Sequence, residues 1–91
     1  DASDGPAVPV FTDQQVEAMA ELEHARWNLE RLRAGWAWAE IRDAERRLSP
    51  HLVGWDELPD EVREYDRETV REIPAHLAKA GLEVRESPEA A

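Results

Sequence analysis

Three of the four tryptophans, Trp27, Trp36 and Trp38, fall within one short stretch, with Glu23, Arg26 and Glu30 among or beside them. Indole faces stack on flat rings and attract cations, and guanidinium groups pair with carboxylate or phosphate. Arg42, Arg46 and Arg47 form a small basic spot just after the cluster, in a chain whose net charge is −10. Aromatic faces beside arginines are the composition of a site for an aromatic or anionic ligand. A plainer account is also open. With one Phe and one Tyr, the chain needs indoles to fill its core, because each buries ~150–250 Å². Glu23, Arg26 and Glu30 likewise fit a ladder of i,i+3 and i,i+4 ion pairs, or a polar cluster supporting a site beside Trp27.

Other chemistry is poorly represented, so no catalytic or metal-binding residues are assigned. The serines are Ser3, Ser49 and Ser87, none with a plausible triad around it. His24, His51 and His76 lack metal-ligand spacing, and Glu23-His24 lacks the second histidine of a zinc-binding helix. No glycine-rich loop cradles phosphate. Arg46-Arg47-Leu48-Ser49 has the spacing that basophilic kinases read, although Pro50 directly afterwards is unfavourable.

These side chains need elements to position them. Thr12 caps a first helix, Gln15 completes a capping box and Phe11 staples onto Val16. The helix is predicted over about Thr12–Ala34, with Gly35 as a left-handed cap. Val16, Met19, Ala20, Trp27 and Ala34 share one face, with Leu22 and Leu29 on its flank. Residues 36–55 lack helical period and predict an irregular connection, with short extended segments at Trp36–Trp38 and Leu52–Trp55. A second helix is predicted over about Pro59–Ala80, broken near Pro74 and ended by Gly81.

The fold class is therefore mainly α: two principal helices with short extended segments in the connection. Residues 1–10 read as a disordered linker and 83–91 as a disordered acidic tail, leaving a domain over 11–82. About seventy residues make a marginal core, and there is no cysteine to staple it. A homodimer or a fused partner domain is therefore expected. The acidic balance argues against nucleic acid and anionic membrane. No apolar run reaches transmembrane length, so membrane insertion is not expected, and a cytoplasmic location is.

The runs Leu22-Glu23-His24-Ala25-Arg26-Trp27, Gly35-Trp36, Arg42-Asp43 and Pro50-His51-Leu52-Val53-Gly54-Trp55-Asp56-Glu57-Leu58-Pro59 resemble the RyR domain, the repeat of ryanodine receptors that also occurs singly in bacterial and phage proteins. Tyr65-Asp66-Arg67 and Ile73-Pro74, then Leu77 and Gly81, match its second helix, so the resemblance covers about residues 15–82. It implies a small helical domain, a homodimer mimicking the receptors' tandem pairs, and a non-enzymatic regulatory role without a cofactor. Adenine nucleotides or related messengers are the ligand class it implies. The site is expected where Trp36, Trp38, Arg42 and Asp43 leave the first helix. Trp55 and Tyr65-Asp66-Arg67 would form the facing wall, with Glu23, Arg26 and Trp27 in support. The alternative is a protein–protein interaction module whose exposed indoles dock a partner.

Overall fold

The computed structural model describes residues 7–87. Helix α1 spans Asp13–Arg33. The Thr12 hydroxyl accepts from the Gln15 backbone N–H at 3.1 Å, and the Gln15 side chain accepts from the Thr12 N–H at 2.9 Å. This reciprocal box satisfies two of the orphan donors at the helix start and is worth ~1 kcal/mol. Phe11 packs against the core that contains Val16.

The other end of α1 closes in a Schellman turn. Trp36 N–H donates to the Arg31 carbonyl at 3.0 Å and Gly35 N–H to the Leu32 carbonyl at 3.1 Å. Gly35 stands at φ +89°, where a side chain would be strained. Arg47 reaches back and donates from Nη1 to the Ala34 carbonyl at 2.8 Å. A cation at the negative end of the helix dipole is favourably placed there.

Strand β1 (Ala37–Trp38) pairs in parallel with β2 (Leu48–Ser49), Ala37 facing Leu48 and Trp38 facing Ser49. The second extended segment therefore lies before Leu52–Trp55, where the sequence pattern had placed it. The cause is a tight loop. Asp43 and Leu48 exchange backbone hydrogen bonds, and the Asp43 carboxylate accepts from the Arg46 N–H. Arg47, at φ +57°, then turns the chain back beside β1. Trp55–Glu57 forms a single 3₁₀ turn instead of a strand.

Helices α2 (Asp60–Arg71) and α3 (Ile73–Lys79) together occupy the predicted second helical segment. The break at Glu72 follows from Pro74, which lacks the N–H that would continue the ladder to Val70. Gly81 at φ +78° ends α3. The core comprises Val16, Ala20, Trp55, Leu58 and Val70, with Met19, Val53 and Val62 packed against it.

The inward face of α1 is rotated from the one its apolar residues suggested. Val16, Ala20 and His24 are its buried positions, whereas Leu22, Leu29 and Ala34 are exposed. Polar partners decide this orientation, because Glu17, His24 and Asn28 bond groups of residues 53–67 that pack there. Backbone pairing also occurs outside residues 11–82. Ala7 and Arg85 form an antiparallel bridge, and Val8 N–H donates to the Val84 carbonyl at 2.7 Å. Ala7, Val8, Val84 and Arg85 thus carry backbone pairing within the segments read as linker and tail. The remaining parts of those two segments, 1–6 and 88–91, lie outside the described residues.

Candidate functional site

Between α1, α2 and the loop at His51 lies an open cleft of about 200 Å³, lined by His24, Trp27, His51, Val62, Tyr65 and Asp66. Trp27 stacks on His24 with ring centroids 5.7 Å apart and planes 18° from parallel. The i,i+3 spacing on α1 produces this pair, and Tyr65 and Asp66 approach from α2. His24 is held from behind. Its Nε2 donates to the Val53 carbonyl at 2.7 Å, and Asn28, one turn further on, donates to the same oxygen at 2.9 Å. A carbonyl only accepts, so Nε2 carries the proton.

Asp66 is half-buried, and its carboxylate makes no hydrogen bond or ion pair among the described residues. Burial pushes its carboxyl above the usual aspartate range. Glu23 adds to the rise, while His24 and Arg26 oppose it. Three other carboxylates are shifted the opposite way. Arg67 bonding holds Glu17 low, Arg26 bonding holds Glu23 low, and Arg71 bonding holds Glu64 low. A partly desolvated carboxylate without a donor, set among aromatic rings, suits the N–H groups of a flat heteroaromatic ligand.

The structure distributes the sequence-predicted site residues over several places. Tyr65 and Asp66 join Trp27 in the cleft. Trp55 is buried: its indole donates to Glu17 at 3.0 Å, and Arg63 and Arg67 lie 5.9 and 5.7 Å from its ring centroid. Arg67, its side chain 13% exposed, clamps Glu17 through Nε and Nη2 at 2.8 and 3.2 Å and reaches Asp60 at 2.9 Å. Trp55 and Arg67 therefore join α1 to α2 and do not line the cleft.

Trp36 packs with Arg31, whose guanidinium lies 5.0 Å from its ring and 5.4 Å from that of Trp27. Trp38 is 56% exposed, in a shallow depression with Glu40, Pro50, Val53 and Glu57. Asp43 holds its own loop through Arg46. Arg42 is exposed and unpaired among the described residues. Glu23 and Arg26 form the ladder, with Arg26 bonded to Glu23 at 2.6 Å and to Glu30 at 2.7 Å. Both carboxylates raise the arginine's already high pKa, Glu23 foremost.

Sequence reasoning passed over His24 and His51, which it weighed only as metal ligands, and Glu17 and Arg31. The signal for His24 was its place at i+4 from Ala20 and i+8 from Val16, on the buried stripe. No local signal marks His51. Ser49 is buried and its Oγ accepts from the His51 N–H, so the folded domain does not present that hydroxyl to a kinase.

The described residues contain no helix long and apolar enough to cross a membrane. The family model of the RyR domain matches residues 7–86, a span that takes in the paired ends, every helix and the whole cleft. The chain belongs to the RyR domain family.

Proposed function

We propose that this domain is a non-catalytic, ligand-sensing regulatory module, and that a nucleotide-type ligand, an adenine nucleotide or related messenger, is read through its base in the cleft between α1 and α2. The observation that carries this reading is Asp66, half-buried beside Trp27 and Tyr65 and without a donor among the described residues. An adenine amino group supplies such a donor. Stacking on an aromatic face contributes ~1–3 kcal/mol. A cleft of about 200 Å³ is below the ~300–1,000 Å³ of sites that enclose a whole ligand. It therefore suits one ring system, with sugar and phosphates directed outward. Because the cleft has walls from both α1 and α2, an occupant strengthens the contact between them, which is how binding would be transmitted.

The test is a thermal-shift panel of adenosine, AMP, ADP and ATP, followed by calorimetry. At ~100 times its dissociation constant a ligand adds ~2.7 kcal/mol of stability, several degrees in a domain of this size. Asp66→Asn should weaken the adenosine and nucleotide arms alike. Arg42→Ala should weaken only the phosphate-bearing ligands, ~10- to 100-fold if that exposed guanidinium engages phosphate. No shift with any member of the panel would overturn the reading. The second reading, a protein–protein interaction module, is favoured by Trp38, a large indole left 56% exposed at the surface.

A further inference from the structure

Helix α1 has a second apolar face that its own domain leaves largely exposed, only Leu22 bordering a groove beside Thr69, Val70 and Ile73. Leu22, Ala25, Leu29 and Leu32 are all exposed, with Leu22 at 69%, Leu29 at 49% and Leu32 at 57%. Their spacing of three, four and three residues is the a/d seam of a heptad. The seam lies roughly opposite the stripe of Val16, Ala20 and His24 that packs inward. A helix that serves one core is polar on its outer side. Three exposed leucines in register depart from that pattern, in a domain whose buried apolar core among the described residues is Val16, Ala20, Trp55, Leu58 and Val70.

The flanking charges specify the occupant. With Leu22 at position a, Glu21 falls at g, and Arg26 and Arg33 fall at e. In a parallel pair of α1 helices each g residue faces the e residue five positions on in the other helix, so Glu21 meets Arg26 of the second copy, twice by symmetry. Glu21 has no partner among the described residues. Arg26 uses three of its N–H groups on Glu23 and Glu30 and so keeps two of the five a guanidinium carries. An antiparallel pair would instead bring the e positions of both copies together and oppose arginine to arginine.

We infer that the Leu22–Leu32 face of α1 is a homodimer interface, in which a second copy of this chain packs its own α1 in parallel. The seam is short, because α1 ends at Arg33, so the dimer forms at micromolar concentration. Ala25 at a d position lets the helices approach closely.

Sedimentation velocity on the chain across about 5–200 μM tests the interface, with circular dichroism to confirm the fold of each variant. The expected result is a dimer that Leu29→Glu and Leu22→Glu each weaken about 30-fold or more while helix content is retained. The chain has no cysteine, so Leu32→Cys reports orientation. Parallel packing sets the two Leu32 positions side by side, and mild oxidation should yield a covalent dimer. A monomer at the highest concentration would overturn the inference. So would a dimer indifferent to both glutamate variants, or a dimer in which Leu32→Cys fails to cross-link. Should one glutamate variant unfold, the other still reads the same face, since both leucines are exposed.

Discussion

His24 Nε2 and the Val53 carbonyl lie 2.7 Å apart, joining the middle of α1 to a loop 29 residues further along the chain. The bond fixes the ring tautomer, orients the face on which Trp27 stacks, and with Asn28 anchors the segment leading into buried Trp55. Replacing His24 with Leu removes one of the two donors to a part-buried carbonyl, so a loss of ~1–3 kcal/mol is expected. Urea denaturation measures it. His24→Gln, which keeps an N–H, should recover part of the loss.

Gly35 and Gly81 give a paired test of backbone strain. Both have positive φ, but a Cβ on Gly35 would meet Arg47 Nη1 at 3.2 Å, whereas one on Gly81 meets nothing within 4 Å. Gly81→Ala should cost ~1 kcal/mol, and Gly35→Ala more, because the guanidinium that caps α1 must shift. In an Arg47→Ala background the two costs should converge, as read from chemical denaturation.

Acid should weaken the domain through carboxylates that its arginines hold ionised. Glu17, Glu23 and Glu64 all have folded pKa values below their ordinary 4.5, chiefly through bonds to Arg67, Arg26 and Arg71 respectively. A lowered folded pKa means stability fully present above the unfolded value and lost as pH falls through the folded one. Thermal midpoints should therefore fall progressively below about pH 4.5. Glu17→Gln, which removes the charge that clamps Arg67, should make that fall shallower and lower the midpoint at neutral pH.

Asp66 has the opposite sign. Burial raises its pKa above 3.8, so its contribution to stability is full below the unfolded pKa and lost as pH rises through the folded one. Asp66→Asn removes that loss and should raise the midpoint at pH 7, with the two proteins converging near pH 3. A variant more stable than the parent yet weaker in ligand binding would separate a binding role from a structural one.

The indoles should respond differently to truncation. Trp38→Ala, at an exposed position, is expected to change stability by less than ~0.5 kcal/mol, whereas Trp55→Ala should cost ~3–5 kcal/mol. Iodide should quench Trp38 fluorescence and leave Trp55 nearly untouched.

The sequence by itself determined the helices and their ends. Thr12 with Gln15, Gly35, Pro74 and Gly81 act within a few residues of themselves, and local signals of that kind survive in one dimension. The ion ladder from Glu23 through Arg26 to Glu30 was legible for the same reason, since helical geometry alone makes those residues neighbours.

Tertiary structure decided which face of α1 turns inward and where the aromatic side chains went. Apolar periodicity ranks leucine above glutamate and histidine, but Glu17 lies against the Trp55 indole and Arg67, and His24 against the Val53 carbonyl, partners 29 to 50 residues away. A polar side chain can face inward when its bonding capacity is met there, and no spacing rule reveals a partner at that distance. The Glu17 bonds hold Trp55 and Arg67 between the helices, while Trp38 and Arg42 stand at the surface and Asp66 lies beside Trp27 in the cleft. Composition showed that indoles and arginines were plentiful. Only packing could assign some to the core and others to a cleft, because burial depends on what the rest of the chain places against each side chain.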